Sequence, residues 1–284
     1  MATYPMQTNT NSGVTVPKFW AKEILQNRRN RLVMEQLANH DYEGEVKNAG
    51  DTVHIISLPD MVAQDIVPGQ EMTVTPLNPT EQLLLIDKYV GAPAEIQDRL
   101  MKQSTYELRR PFTERIGYAL ADAIDKHLIT LATNDALAAN KLAEVTKLSK
   151  AAIIEAHKVL DMANVPTEGR ALVVNGVGVA DLRSDAEMTW ASQQGDGNIS
   201  GAGYAGTIYN TPVYVTNQVQ KTNTNKDWGF LLIHKSALTC AVQIDTEVES
   251  QRRALAKSTI IVGSTLWGGK VVRPDHIAVI NRKV

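Results

Sequence analysis

Residues 95–131 read EIQDRLMKQSTYELRRPFTERIGYALADAIDKHLITL, and the part after Pro111 has the periodicity of an amphipathic helix. The first turn of a helix tolerates proline, because no amide donor is needed there. The positions expected on the buried face recur at steps of three and four residues. They are Phe112, Ile116, Leu120, Ala123, His127 and Leu131. About 20 residues at about 1.5 Å per residue predict a rod of about 30 Å, here called the spine helix. Residues 95–109 are expected to continue it with a kink or to form a separate helix before it.

The composition excludes several classes of protein. A chain of 284 residues can form one large domain or two modest ones, and 43% hydrophobic and 21% charged residues are ordinary for a soluble globular protein. The net charge of -2 provides no basic field that would attract nucleic acid or an anionic membrane. The single cysteine, Cys240, cannot form an internal disulfide or a cysteine-based zinc cluster. The start lacks a secretory signal and no apolar run approaches about 18 residues, so we expect a chain that is cytoplasmic at synthesis.

The N-terminal region divides into a polar segment and a helical one. Residues 1–16 hold few core-forming side chains, so they are expected either to be disordered or, as we favour, to lie on another chain. A helix is predicted over about 17–38, with an apolar patch that includes Trp20. The same helix contains a charge run, at Arg28, Arg29 and Arg31. Such runs usually form a solvated face, and the alternative is an inter-subunit patch of salt bridges.

Residues 50–90 have the pattern of strands rather than of a helix, and they predict a long two-stranded hairpin. Segments rich in β-branched residues flank a strong turn signal at Pro68-Gly69. An isolated hairpin is marginally stable in water, yet this one carries many apolar side chains. They are Val53, Ile55, Ile56, Leu58, Met61, Val62, Ile66, Val67, Met72, Val74 and Leu77. Exposed on a monomer they would promote aggregation, so they are expected to fold back onto their own core or to lie across an adjacent subunit.

The second half of the chain mixes helices and strands without the regular spacing of a doubly wound sheet. Helices are predicted after Ser149, a plausible N-cap, and directly after the first of the strands. Strands are predicted at 171–175, 208–219 (a pair or one bent strand), 228–234, 238–250 and 254–280. A glycine- and serine-rich loop occupies 184–207, and a turn is predicted at Gly268-Gly269. Strands that follow helices in this way indicate an α+β fold.

No motif for catalysis or cofactor binding stands out. Gly176 and Gly178 lack the third glycine and the acidic residue of a dinucleotide-binding loop. The six histidines form no pair at metal-binding spacing, and there is no nucleophile elbow, phosphate loop or Cys/His nucleophile pair. Asp122 and Asp125 are interpreted as solvated or ion-paired carboxylates on the spine helix rather than as catalytic ones. The sequence therefore predicts neither an enzyme nor a bound cofactor or metal.

Five segments, in this order, resemble the major capsid protein of tailed bacteriophages. They are HDYEGEVKNAGDTVHIISLPD (40–60), IDKYVGAPAEIQDRL (86–100), GTIYNTPVYVTNQV (206–219), HKSALTCAVQ (234–243) and TLWGGKVVRPDHIAVI (265–280). The resemblance implies an α+β tailed-phage capsid fold with four parts. The parts are an N-terminal arm at 1–45, an extended β-hairpin loop at 46–92, a peripheral domain with the spine helix at 93–147 and 240–284, and an apical domain at 148–239.

The resemblance also implies a function and partners. The protein is expected to self-assemble, as hexamers and pentamers of itself, into an icosahedral head that encloses double-stranded DNA without binding it specifically. Its expected location is the virion, and the host cytoplasm during assembly. Because the fold begins almost at Met1, a separate scaffolding protein is expected. A portal protein is expected too, and whether a decoration protein also binds stays open.

On this interpretation, the side chains that a monomer cannot bury reach neighbouring subunits. The inter-subunit contact candidates are Trp20, Arg28, Arg29, Arg31, Ile55, Leu58, Met61, Ile66, Val67, Met72 and Val74. No Lys or Arg lies between Asp51 and Asp87, so the lysine cross-link of some family members is not expected at the loop tip. The alternative is an encapsulin-like bacterial compartment, which resembles this fold but holds enzymes; the long arm and hairpin favour the phage protein.

Overall fold

A computed structural model describes residues 32–42, 52–57, 78–103, 109–184, 204–219 and 228–283, together with the single positions 24, 44, 63 and 65. The helices in these ranges are α1 (Met34–Leu37), α2 (Asp98–Gln103), α3 (Arg109–Asp135), α4 (Lys150–Met162) and α5 (Gly176–Ser184). The strands are β1 (Thr52–Ser57), β2 (Thr80–Leu85), β3 (Lys88–Gln97), β4 (Arg170–Val174), β5 (Tyr204–Ile208), β6 (Thr211–Val215), β7 (Trp228–His234), β8 (Leu238–Arg253), β9 (Ser258–Val271) and β10 (Ile277–Arg282). Among the described residues, no helix is long and apolar enough to cross a bilayer.

The predicted spine helix is confirmed as α3, but its buried face is rotated from the predicted stripe. The centre of that face is a row of side chains four residues apart, each at most 4% exposed: Ile116, Leu120, Ile124 and Leu128. The other predicted positions are only partly buried: Phe112, Ala123, His127 and Leu131. Ile116 and Leu120 pack with side chains of β3 and β9. Ile124 and Leu128 belong instead to the larger hydrophobic core, here called the main core, which contains the buried apolar residues of β4, β7 and β10. The helix therefore supports two cores at once.

The segments before the spine helix are separate from it. Residues 95–97 are the end of strand β3, and α2 follows as a short helix of its own, so the rod does not extend back to residue 95. Of the helix predicted over 17–38, the described part is position 24 and residues 32–38. There α1 ends at Leu37, and Ala38 is already extended.

A five-stranded sheet has the order β10-β7-β4-β6-β5, with α4 against β10 and α5 against β4. Its central strand, β4, is buried at all five positions, as expected for a short apolar strand covered on both faces. The predicted strands at 171–175 and 228–234 are thus confirmed. Of the two arrangements predicted for 208–219, the strand pair is present. Its turn, Tyr209 and Asn210 at φ 49 and 60, has the positive angles of a type I′ hairpin.

The closing strand of the chain belongs to this five-stranded sheet. β10 pairs with β7 along its whole length, from Ile277 opposite Ile233 to Arg282 opposite Trp228. Its four buried residues, 277–280, belong to the hydrophobic core beside β7. The assignment of all of 240–284 to the peripheral domain stays a prediction.

A three-stranded antiparallel sheet, β3-β9-β8, lies against the spine helix. Its long β8–β9 hairpin turns at residues 254–257, so the turn predicted at Gly268-Gly269 is wrong. Both glycines lie inside β9. Glycine suits these positions because the neighbouring atoms leave no room for a side chain. A Cβ atom on Gly268 would overlap the carbonyl oxygen of Leu85, and one on Gly269 would lie 2.7 Å from Leu128 Cδ2.

Strands β1 and β2 form a separate two-stranded sheet, the base of the predicted hairpin. The chain leaves strand geometry at residues 86–87, so the returning half of the predicted hairpin ends with β2 and a new strand, β3, begins after it. The turn predicted at Pro68-Gly69 and most of residues 58–77 lie outside the described residues. The same is true of most of the loop predicted at 184–207.

Candidate subunit interface

The base of the hairpin exposes apolar side chains on one of its two faces. In the antiparallel register, His54 lies opposite Leu83 and Ile56 lies opposite Glu81 on this outer face. Ile56 is 68% exposed, Leu85 55% and Leu83 43%. We call Ile56, Leu83 and Leu85 the outer patch. Neighbouring apolar side chains of this size in water give a single copy no stability, and such patches mark interaction sites.

The inner face of the same two strands is closed by the chain itself. Val53, Ile55, Leu84 and Ile86 are all buried, and they form a cluster with Ala241 of β8. Because side chains alternate between the faces of a strand, burial of this set forces the outer patch toward solvent. The exposed patch is thus a direct consequence of the register.

Polar contacts fix the hairpin base to the edge of β9. The Lys270 ammonium donates to the carbonyl oxygen of Leu83 at 2.9 Å, and the Gln82 amide donates to that of Val272 at 3.2 Å. Gly268 allows the backbone at Leu85 to approach β9 more closely than a side chain would permit. These contacts hold the backbone of the hairpin base while its outer side chains stay available.

Polar side chains share the outer face with the patch, and polar and aromatic residues follow it in the chain. His54 bonds to Glu81 across the hairpin. Lys88 donates to Asp87 at 2.9 Å, and this bond is the main reason that the pKa of Asp87 lies below its usual value. Tyr89 is 66% exposed, with its hydroxyl 3.4 Å from that of Ser264. An apolar centre with a polar, solvated rim is the usual composition of a protein–protein interface.

A second exposed feature lies at the tip of the β8–β9 hairpin. Leu255 is fully exposed there, with the exposed residues Arg253 and Lys257 two positions before and after it. The stem below the tip is fixed to α2 by the salt bridge between Arg252 and Asp98. The sequence analysis missed this tip because it placed the turn at the glycine pair. The short Ala-Leu-Ala segment between Arg253 and Lys257 could have indicated a turn here.

Within the subunit, the spine helix is attached to the N-terminal segment through Asp125. This carboxylate is 3% exposed and accepts hydrogen bonds from the backbone amides of Val33 and Met34. Burial raises the pKa of Asp125 to about 7. The interpretation of Asp125 as solvated or ion-paired is therefore wrong, because a segment remote in sequence covers it. Asp122, one turn earlier, accepts a bond from the Gln218 amide.

The model of the phage capsid family matches residues 12–281, which is nearly the whole chain. The chain belongs to the phage capsid family. It is a major capsid protein, a structural component of an icosahedral bacteriophage capsid. Comparison with curated proteins gives no match.

Solved structures share the fold of this capsid protein across most of their length. A structure from Mycobacterium phage Che8 is 27% identical, covers 88% of this chain and 91% of its own, and has a TM-score of 0.70. The capsid of the cyanophage P-SCSP1u is 17% identical, covers 89% of each chain, and has a TM-score of 0.66. A virus-like particle from Pyrococcus furiosus is 12% identical, covers 94% of this chain and 100% of its own, and has a TM-score of 0.62.

Of the predicted contact candidates, Ile55 is the one that falls within the described residues. Its side chain is 3% exposed inside its own subunit, so its neighbours in the outer patch are the better candidates at this end of the hairpin. The other candidates lie outside the described residues and stay predictions: Trp20, Arg28, Arg29, Arg31, Leu58, Met61, Ile66, Val67, Met72 and Val74.

Within the described residues, no group of three or more His, Cys, Asp or Glu side chains could hold a metal ion. A polar cluster around Ser236 instead connects two segments of the chain. The Ser236 hydroxyl lies 2.7 Å from Nδ1 of both His234 and His276 and so links the turn after β7 to the segment before β10. Burial lowers the pKa of both histidines, which keeps them neutral at pH near 7.

Proposed function

We propose that copies of this capsid protein join through the outer patch to form the wall of a tailed-phage head. In this proposal hexamers and pentamers of the chain close an icosahedral shell around double-stranded DNA. The rest of the N-terminal arm and of the extended loop, beyond the segments that pack on their own subunit, lies on neighbouring subunits. The outer patch carries the proposal, because Lys270 holds its backbone at Leu83 while its three apolar side chains stay exposed among the residues that the structure describes.

Individually weak contacts are enough for such a wall. A subunit in a closed shell is held by all its neighbours together, so its loss requires every contact to break at once. Most of the gross free energy gained by covering the outer patch is offset by ordering and desolvation. Each contact between subunits is therefore weak, and it stays reversible during assembly.

The charge of the protein suits a container. With a net charge of -2, the chain offers no overall basic surface that would bind the phosphate backbone tightly. DNA would then be enclosed without specific binding. This agrees with a structural role rather than an enzymatic one.

The proposal includes partners other than the chain itself. A separate scaffolding protein would set the curvature of the shell, and a portal protein would occupy one vertex. Assembly would take place in the host cytoplasm. These expectations rest on the resemblance to tailed-phage capsid proteins, and the number of subunits is left open.

An encapsulin-like compartment is the second candidate, because the virus-like particle from Pyrococcus furiosus shares the fold. Its identity to this chain is 12%, against 27% for the structure from Mycobacterium phage Che8. The match to the phage capsid family favours the phage head, and the contents of the particle test this choice directly.

The test is to purify the expressed chain and to examine it by size-exclusion chromatography and electron microscopy, alone and with the proteins of its own phage. We expect closed particles, with nuclease-resistant double-stranded DNA in those from infected cells. Particles that hold enzymes and no DNA would favour the compartment. A stable monomer at high concentration would overturn both candidates, and uniform shells from the chain alone would remove the need for a scaffolding protein.

A further inference from the structure

Asp125 is a buried carboxylate with no part in the proposed contacts between subunits. It lies in the middle of α3 and is 3% exposed. Carboxylates this deep are rare unless they are paired with a cation or a set of hydrogen-bond donors. Its function should therefore follow from what surrounds it.

The donors that satisfy Asp125 come from the N-terminal segment. The amide of Met34 donates to Oδ1 at 3.0 Å, and that of Val33 donates to Oδ2 at 3.1 Å and to Oδ1 at 3.3 Å. These amides lie at the N-terminal end of α1, where the amides of a helix have no acceptors within the helix. Leu32, Val33 and Met34 are each at most 3% exposed, so the segment that donates to Asp125 is itself buried.

The same segment has a second attachment a few residues later. The amide of Asn39 donates to the carbonyl of Leu238 at 2.8 Å, and the amide of Cys240 donates to the carbonyl of Asn39 at 3.0 Å. This attachment uses backbone groups that do not titrate. A third attachment, nearer to the N-terminus, is the fully buried Ile24, which packs in the cluster of Ile116 and Leu120. Of the three, Asp125 is the one that can gain or lose a proton.

The charged groups around Asp125 are acidic. Glu35 on α1 and Asp122 on α3 both raise the pKa of Asp125, in addition to the larger effect of burial. The loop after β6 approaches through Gln218, which bonds to Asp122. Lys88 and Asp87, beside β3, act on His127, which lies two residues along α3 and so on its opposite side. Among the described residues, these elements thus place no neutralising cation beside Asp125.

We propose that Asp125 is a proton-controlled latch that docks the N-terminal arm on the spine helix. The latch works inside one subunit, so its existence does not depend on the shell. Its use, to set how firmly the arm is held before the arm reaches a neighbour, rests on the proposed function.

The direction of the effect follows from linkage. When the arm is docked, Asp125 titrates at about 7; when the arm is released, water reaches the carboxyl group and its pKa returns toward that of an ordinary aspartate, about 3.9. The docked state therefore binds the proton more tightly. Docking is strongest below pH of about 4, weakens as the pH rises between the two pKa values, and levels off above about 7; between pH of about 6 and about 8 the docking equilibrium weakens by about tenfold.

Hydrogen exchange of the full-length subunit tests the latch. Exchange of the peptide that covers residues 32–40 is measured in the wild type and in Asp125→Asn, which is always neutral and keeps one acceptor oxygen. The ratio of the two rates cancels the intrinsic pH dependence of exchange. We expect the exchange rate of the wild type, relative to that of the variant, to rise by about tenfold between pH of about 6 and about 8.

Asp122→Asn is the matched control, because it removes a neighbouring carboxylate that makes no contact with Val33 or Met34. It should keep a pH dependence of the same sign as the wild type, shifted to slightly lower pH because Asp122 raises the pKa of Asp125. If Asp125→Asn does not fold, the carboxyl carbon of Asp125 in the wild type is titrated by NMR instead. A flat or inverted exchange ratio, or an ordinary aspartate midpoint in that titration, would overturn the latch. Loss of shell formation with the ratio intact would count against the proposed function alone.

Discussion

The five-stranded sheet and the base of the hairpin are built from similarly apolar strands, yet their surroundings differ. Every residue of β4 is buried, whereas in β1 burial alternates and the outer patch stays in water. The apolar side chains of the first sheet thus stabilise a single subunit, whereas those of the outer patch are available for contact with a second copy. Substitutions in the first should change folding, and substitutions in the second should change assembly.

Phe230→Ala should have the largest effect. The ring is fully buried and packs so tightly against α5 that a Cβ atom on Gly178 would lie 2.9 Å from it. We expect a loss of about 3–5 kcal/mol in the free energy of unfolding, because the cavity cannot collapse. Urea denaturation of the subunit measures it. An equal loss for a substitution in the outer patch would remove the contrast between the two sheets.

Gly268→Ala tests the attachment of the hairpin base to β9. The added Cβ would overlap the carbonyl oxygen of Leu85 and lie 2.9 Å from Ile86 Cα, and backbone atoms cannot move aside easily. We expect a loss of about 1–3 kcal/mol or more in the free energy of unfolding, with faster hydrogen exchange in β1 and β2.

Gly91→Ala is its matched control. The nearest atom to a Cβ there is Val262 Cγ1 at 3.6 Å, an ordinary contact. Within the same sheet, this variant should be neutral or slightly stabilising, since alanine loses less backbone entropy than glycine on folding. Similar losses at both glycines would contradict the close approach of the hairpin.

Leu85→Ser should separate folding from assembly. The side chain is 55% exposed, so the free energy of unfolding of the subunit should change by no more than about 0.5 kcal/mol. The yield of closed particles should nevertheless fall, while Leu85→Met, which keeps an apolar side chain, should assemble normally. Sedimentation of particles against free subunits reports the yield. Normal assembly of Leu85→Ser would exclude Leu85 from the seam.

The smallest effect should come from His157, beside the five-stranded sheet. Burial first, and then the nearby Arg170, lower the pKa of His157 below its usual 6.5. The unfolded chain therefore binds a proton more readily, so this histidine costs stability as the pH falls below about 6.5. The urea midpoint of His157→Gln should fall less on acidification than that of the wild type. Parallel profiles would contradict this role.

The elements that could be predicted from the sequence are those with a local cause. The apolar run at 228–234 forms a strand within those bounds, and the spacing around Ile116 and Leu120 predicted the spine helix. The turn at Gly268-Gly269 was wrong because a glycine pair also occurs where another backbone passes close by. Asp125 was misjudged because the amides that bond to it lie 91 and 92 positions away in sequence.

The candidate interface was predicted only in part. The sequence indicated that the hairpin must be covered, but it could not say which face its own subunit covers. That depends on the register of β1 with β2 and on Ala241, nearly two hundred positions later in the chain. The exposed tip at Leu255 was missed for a similar reason, because its exposure follows from where β8 and β9 reverse direction.

The most direct measurement is thiol labelling of Leu83→Cys in free subunits and in assembled particles. The native Cys240 is fully buried and should not react in folded protein. If the outer patch is a seam between copies, the new thiol should react quickly in the free subunit and at least about tenfold more slowly in the particle, as expected for a site removed from water. Equal rates in the two states would contradict the account.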